Sequence, residues 1–334
     1  MNELLAIVTE GRAAVARGLP TVLATVVAVR GSAYRRPGAR MLVTSEGWRA
    51  GSVSGGCLEA DVARRAAFLV SHGQPMVRTY DTSEDAGARL GCGGEVDLLL
   101  EPVTDTTFLD ELARVAERRQ TLKVVTALEG RVGEREVWCE GTCLRSTWTQ
   151  TREVRRFEEV LQPAPKLVVV GAGHDALPVA RLGVELGWSL DVVDWRPGLV
   201  TAARFPRTAV HLASAASLRE KLPREPGAVT VVMSHHLDYD AAALDVLLRD
   251  ETLASVGLLG PRHRASQVLA LVESRHGALS ASHRARLKAP VGLDLGGEGP
   301  AAVALSILAE AQAVLQGRSA LPLCAPVELV RVSR

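Results

Sequence analysis

The pattern of apolar and polar positions divides the chain into two parts with different rhythms. Near the start, Leu4, Ile7, Val8 and Val15 recur at helical spacing, and Gly18 with Pro20 closes the segment. Residues 21–29, TVLATVVAV, are apolar on both faces and rich in β-branched side chains, which predicts a buried strand. A Gly/Pro loop, GSAYRRPGA (31–39), leads to a second strand, MLVT (41–44). After GSVSGG, Leu58, Val62, Ala66 and Leu69 line one face of a helix. MVRTYD (76–81) and EVDLLLEP (95–102) read as strands around a polar loop ending in GCGG. A helix near 107–119 and strand-like pieces at 122–128 and 137–148 follow.

The charged, proline-bearing stretch QTREVRRFEEVLQPAP (150–165) reads as a linker. The expected organisation is an N-terminal domain over 1–150, a linker over 151–165 and a second domain over 166–334. In the second domain KLVVVG, SLDVVD, AVHLA, AVTVVMSHH and SVGLLG are short Val-rich strands separated by helical stretches. Strands of that kind belong to a parallel sheet covered on both faces. A last helix starts near Pro300, with Val303, Ile307, Ala311 and Val314 as its stripe. The fold class expected is α/β, an N-terminal mixed α+β domain followed by a Rossmann-like parallel-sheet domain with a C-terminal helix.

Composition narrows the function classes. Aromatic residues make up only 4% of the 334, so Ala, Val and Leu must fill the cores. Lys and Arg total 39 against 38 Asp and Glu, with no basic tract to suit a nucleic acid or a membrane surface. There is no apolar run long enough for a membrane span or a signal peptide. An odd number of cysteines, Cys57, Cys92, Cys139, Cys143 and Cys324, argues against a secreted disulfide framework. A cytoplasmic protein is expected.

Candidate chemistry falls in both parts. In VVVGAGHDALP (168–178), Gly171-x-Gly173-x-x-Ala176 joins a strand to a helix, and Asp194 ends the next strand. The glycines let a phosphate approach the helix N-terminus, and an acid at Asp194 suits a ribose hydroxyl, so a nucleotide such as NAD(P) is a candidate ligand. His174, His235, His236, Asp238, Asp240 and Arg262 follow strand ends and are expected along one edge of the sheet. The run His235-His236-x-Asp238-x-Asp240 suits either a metal-ligand set or a helix cap beside a positioned imidazole. In the first part, Ser54-Gly55-Gly56-Cys57-Leu58-Glu59 and Gly91-Cys92-Gly93-Gly94 each set a cysteine among glycines, where backbone can come close to a bulky ligand. Cys57 falls near a helix N-terminus, an environment that favours thiolate and hence metal or sulfur chemistry. Arg36, in a loop with Ser32, Arg35 and Arg40, suits a phosphate or an acidic pterin edge. Cys139, Cys143 and Cys324 are read as structural.

Taken in order, GSAYRRPGARMLV, GSVSGGCLEADV, LGCGGEVDLLLEP, VVVGAGH, MSHHLDYD, LLGPRHR and APVGLDLGGEGP resemble the XdhC/CoxI family over nearly the whole chain. The resemblance implies a maturation chaperone for molybdenum hydroxylases of the xanthine dehydrogenase and CO dehydrogenase type. It implies binding of the molybdenum cofactor, assistance in its sulfuration with a cysteine desulfurase as donor, and insertion into the apo hydroxylase. It also implies a homodimer. By position, Gly55, Gly56, Cys57 and Glu59 match the first family motif, Gly91, Cys92, Gly93 and Gly94 the second, and Gly171, Gly173 and His174 the third; Cys57 is the candidate molybdenum or sulfido neighbour. An NAD(P)-dependent oxidoreductase is the alternative, and a hydrolase built on the His-Asp run is a weaker one. Against a dehydrogenase, Tyr34, Tyr80 and Tyr239 all lack a lysine four residues later.

Overall fold

The computed structural model describes residues 1–81 and 94–324. The chain forms two compact units, Met1–Ala164 and Pro165–Arg334. In order, the first carries α1 (Asn2–Ala16), β1 (Thr21–Arg30), β2 (Arg40–Thr44), β3 (Gly47–Gly51), α2 (Glu59–His72), β4 (Met76–Asp81), β5 (Glu95–Pro102), α3 (Thr107–Arg118), β6 (Leu122–Ala127), β7 (Arg135–Cys139), β8 (Thr142–Ser146) and β9 (Arg156–Leu161).

Among the described residues, the strands of this unit form two antiparallel sheets, ordered β3-β2-β1-β5-β4 and β8-β7-β6-β9. The β1 run is buried along most of its length because both faces are covered. Val22, Ala24 and Val26 pack with Leu58, Val62 and Ala66 of the α2 segment, while Leu23 packs with Ile7 of α1 and Leu109 of α3.

The stretch expected to be a linker is corrected in part, because Arg156–Leu161 is a strand paired with β6. Its half-buried face holds Phe157, Glu159 and Leu161. Glu159 forms a buried ion pair with Arg40 of the other sheet, and Arg135 of β7 forms a second with Glu101 of β5. These two pairs tie the sheets together. Burial pushes the Glu101 carboxyl up, against the opposing pull of Arg135 and Arg40. The piece expected over 137–148 is a hairpin, turning at Glu140 and Gly141, which both have positive φ. Register places Cys139 opposite Thr142 and Cys143 opposite Trp138, so the two cysteines point to opposite faces. Cys139 is buried, but Cys143 and Cys324 are exposed and do not pack as expected.

The second unit carries β10 (Lys166–Val170), α4 (Ala176–Glu185), β11 (Ser189–Asp194), β12 (Ala209–Leu212), α5 (Leu218–Lys221), β13 (Val229–Val232), α6 (Leu237–Leu248), β14 (Ser255–Leu258), α7 (Arg262–His276), α8 (Ala281–Arg286), β15 (Leu287–Lys288) and α9 (Pro300–Leu315). Among the described residues its strands form one sheet ordered β12-β11-β10-β13-β14-β15, parallel throughout. Relative to β10 as the first strand, this is the 3-2-1-4-5-6 order of the doubly wound nucleotide-binding fold. Helices α4 and α9 cover one face and α6 with α7 the other. No helix of the described residues is long and apolar enough to cross a membrane.

Candidate functional site

Antiparallel register brings two loops and Gly94 to one end of the first sheet. Arg30 pairs with Glu95, Glu95 with Asp81, Met41 with Gly51, and Thr25 with Arg40. The loops 31–39 and 52–58, together with Gly94, therefore meet at that end. Gly94 is a glycine by necessity, since a Cβ there would stand 2.3 Å from the Ser32 carbonyl oxygen. Gly55 lies under the ring of Tyr34, whose Cγ would be 3.6 Å from a Gly55 Cβ. The tyrosine is 74% exposed. Residues Gly91, Cys92 and Gly93 lie outside the described residues.

The loop carrying Cys57 is held from within. The Ser54 Oγ accepts hydrogen bonds from the backbone N–H groups of Gly56 (3.1 Å), Cys57 (3.1 Å) and Leu58 (3.0 Å). It donates in turn to the Glu59 carboxylate, whose other oxygen accepts from the Val53 and Ser54 N–H groups at 3.1 and 2.8 Å. Burial alone would push Glu59 up, but these donors outweigh it and hold its carboxyl below the usual range. Both oxygens of Glu59, expected to face a ligand, are engaged in bracing the loop. Cys57 is half-buried, a free thiol two residues before the start of α2.

The basic loop divides its charges. Arg35 pairs with Glu3 and Arg40 with Glu159. Arg36 is exposed and has no side-chain partner among the described residues.

The second unit has its own polar edge, at the carboxyl ends of the parallel strands. Gly171 has φ +121°, and a Cβ would come within 2.6 Å of the Met233–Ser234 peptide, so this turn accepts only glycine. Asp194, expected to bind a ribose, is fully buried and its oxygens are engaged. Oδ1 accepts from the Arg196 N–H (2.8 Å) and Nε (2.9 Å), and Oδ2 from the Ala172 N–H (2.6 Å) and Arg196 Nη2 (2.6 Å). Burial would raise this carboxyl, but the donors prevail and lower it.

The His-Asp run does not converge on a metal. His235, at φ +63°, bonds to Asp175 at 2.6 Å, next to Gly173 at the start of α4. His236 caps α6 through the Tyr239 N–H and sets its ring against Trp195. Asp238 pairs with Arg275, while buried Asp240 bonds to Ser234 and Arg264. Among the described residues no group of three His, Cys, Asp or Glu side chains is placed to hold a metal ion. His174 and Arg262 are exposed at the same edge.

Comparison with known proteins agrees with this two-part anatomy. The family model described as "XdhC and CoxI family" matches residues 14–81, and that of the "XdhC Rossmann domain" matches residues 167–311. The chain is 30% identical to a probable xanthine dehydrogenase subunit of Bacillus subtilis, with 86% of this chain and 91% of that protein covered. It is 26% identical to "Molybdenum cofactor insertion chaperone PaoD" of Escherichia coli, with 89% of this chain and 84% of that protein covered. A crystal structure of a xanthine dehydrogenase from Bacillus halodurans superposes with a TM-score of 0.79 at 26% identity, covering 97% of this chain and 99% of that one.

Proposed function

Because the chain belongs to the XdhC and CoxI family, we propose that it is a molybdenum-cofactor-binding maturation chaperone whose site is the loop end of the first sheet. Insertion of the cofactor into an apo molybdenum hydroxylase is the step it serves. The names of two relatives, one a subunit of xanthine dehydrogenase and the other a molybdenum cofactor insertion chaperone, support this reading.

The observation that carries it is the braced Ser54–Glu59 loop. It presents the Cys57 thiol from a backbone fixed by three N–H hydrogen bonds to one hydroxyl. The residues present suit the group. A soft metal–sulfur centre suits a thiol, a phosphate suits the exposed Arg36, and a planar pterin suits the exposed Tyr34 ring beside a glycine backbone. When bound, the cofactor brings the molybdenum centre that the hydroxylase uses. The chain's part is to hold it at Cys57, neutralise its phosphate at Arg36 and keep the loop rigid while it does so. Exchange of an oxo for a sulfido ligand, with a cysteine desulfurase as donor, belongs to the same proposal, as do a cytoplasmic location and a homodimer. The oxidoreductase alternative is not favoured, since the acid it would use at Asp194 is engaged by Arg196.

The test is pterin content. Protein made in molybdenum-replete cells should yield a fluorescent pterin on oxidation, and Cys57→Ala, alone or with Cys92→Ala, should lower it. A wild type without pterin would remove the chaperone reading; equal content in wild type and variants would remove the cysteines from the site.

A further inference from the structure

The fold of the second unit implies a dinucleotide, but its residues do not fit the ribose diol of NAD. That contact needs a carboxylate with free lone pairs at the end of the second strand. The acid is present as Asp194, and it is closed by four donors from Ala172 and Arg196. The usual anion position at the start of α4 is also occupied by negative charge, since Asp175 lies there and bonds to His235.

What this edge offers instead is a fixed cation. The fork of Arg196 is held by Asp194 through Nε and Nη2, and its guanidinium lies 4.4 Å from the centre of the Trp195 ring. Trp195 is held by Tyr239 at 4.3 Å, and the Tyr239 hydroxyl donates to the Ala213 carbonyl at 2.9 Å. The side chain is about one-third exposed, and Nη1 has no partner among the described residues. A guanidinium ordered in advance costs little entropy to use, and its geometry matches phosphate oxygens.

We propose that Arg196 makes the strand-end site of the second unit a phosphate-monoester site, taking the 2′-phosphate of a ribose, or a free phosphate in the same place, and excluding an unmodified ribose diol. This site is independent of the cofactor site of the first unit. Asp194 acts as the positioning residue, and Arg196 meets the ligand.

Calorimetric titration of the full chain with adenosine 2′,5′-bisphosphate, adenosine 5′-monophosphate and inorganic phosphate tests the proposal. The bisphosphate should bind about tenfold or more tightly than the 5′-monophosphate, as expected for a charged hydrogen bond gained. Arg196→Ala should bind the two nucleotides alike. If that variant melts early because buried Asp194 has lost its partner, Arg196→Lys serves in its place. It keeps the charge near Asp194 but has no second arm for a ligand, so most of the preference should still be lost. Inorganic phosphate that displaces the bisphosphate at similar concentration supports free phosphate as the ligand, and weak displacement supports a phosphorylated ribose. Equal affinity of wild type for both nucleotides, no binding of the bisphosphate, or a preference unchanged in the folded variant would overturn the proposal.

Discussion

The hydroxyl of Ser54 and the carboxylate of Glu59, five residues apart, close on each other inside the first unit and fix the loop between them. One hydroxyl accepts the N–H groups of Gly56, Cys57 and Leu58, so it does the work of a helix cap for the segment leading into α2. Ser54→Ala should therefore lower unfolding stability by about 2 kcal/mol, the upper range for a lost cap, because the amides are left without their acceptor. Cys57→Ala, which truncates a half-buried side chain and leaves the brace intact, should cost less than about 1 kcal/mol. Urea denaturation of the two variants checks both. A serine variant as stable as the cysteine variant would mean that the loop does not depend on this hydroxyl.

The same brace sets a pH dependence. The Glu59 carboxyl titrates lower in the folded chain than in the unfolded one, because its donors outweigh burial. Its contribution is thus fully present above the unfolded-chain value, about 4.3, and is lost as pH falls through the folded value below it. Glu59→Gln, which cannot ionise, should be less stable than wild type at pH 7. The gap between their melting temperatures should narrow as pH is lowered through this range. A gap that stays constant to low pH would show that the charge of Glu59 contributes nothing.

Two glycines, one in each unit, should respond differently to a methyl group. At Gly171 an alanine would need φ +121° and would press its Cβ to 2.6 Å from the Met233–Ser234 peptide, which cannot give way without moving the sheet. Gly171→Ala should cost on the order of 3 kcal/mol or more. At Gly55 the methyl meets only the exposed Tyr34 ring at 3.6 Å, an ordinary contact. Gly55→Ala should stay within about 1 kcal/mol of wild type while filling the space beside the Tyr34 ring and lowering pterin content. Denaturation curves for both variants, with pterin measured on the second, separate the two roles.

The Rossmann half was legible because strands buried on both faces are written as unbroken runs such as LVVV and VTVV, which survive without knowledge of their neighbours. Strand β9 was not. Its sequence RFEEVL is charged because one face meets solvent, and its inward acid is neutralised by Arg40, 119 residues away. Locally that is indistinguishable from a linker. The site was legible in the same uneven way. Glycines marked where backbones approach one another, as at Gly94 and Gly171, but which acids were available to a ligand depended on three-dimensional partners. For Asp194 a local signal existed, an arginine two residues on; for Glu59 the S-x₄-E spacing differs from the usual S-x₂-E capping box.

Arg40 and Glu159 provide the means to measure how strongly β9 belongs to the first unit. Both side chains are buried, and among the described residues each leaves one atom, Arg40 Nε and Glu159 Oε2, without a hydrogen-bond partner. Taking two charges out of water costs several kcal/mol each, and an imperfectly bonded pair recovers that cost only in part. Removing one member should be worse than removing both. Arg40→Met or Glu159→Leu alone should each destabilise by about 3–5 kcal/mol, since a buried charge is left unpaired. The double variant should return to within about 1 kcal/mol of wild type, or exceed it. A double-mutant cycle by denaturation therefore gives a large coupling energy if β9 is an integral strand. Additive losses would mean that the two side chains do not share one buried environment, leaving residues 156–161 held by backbone pairing with β6 and by the packing of Phe157 and Leu161.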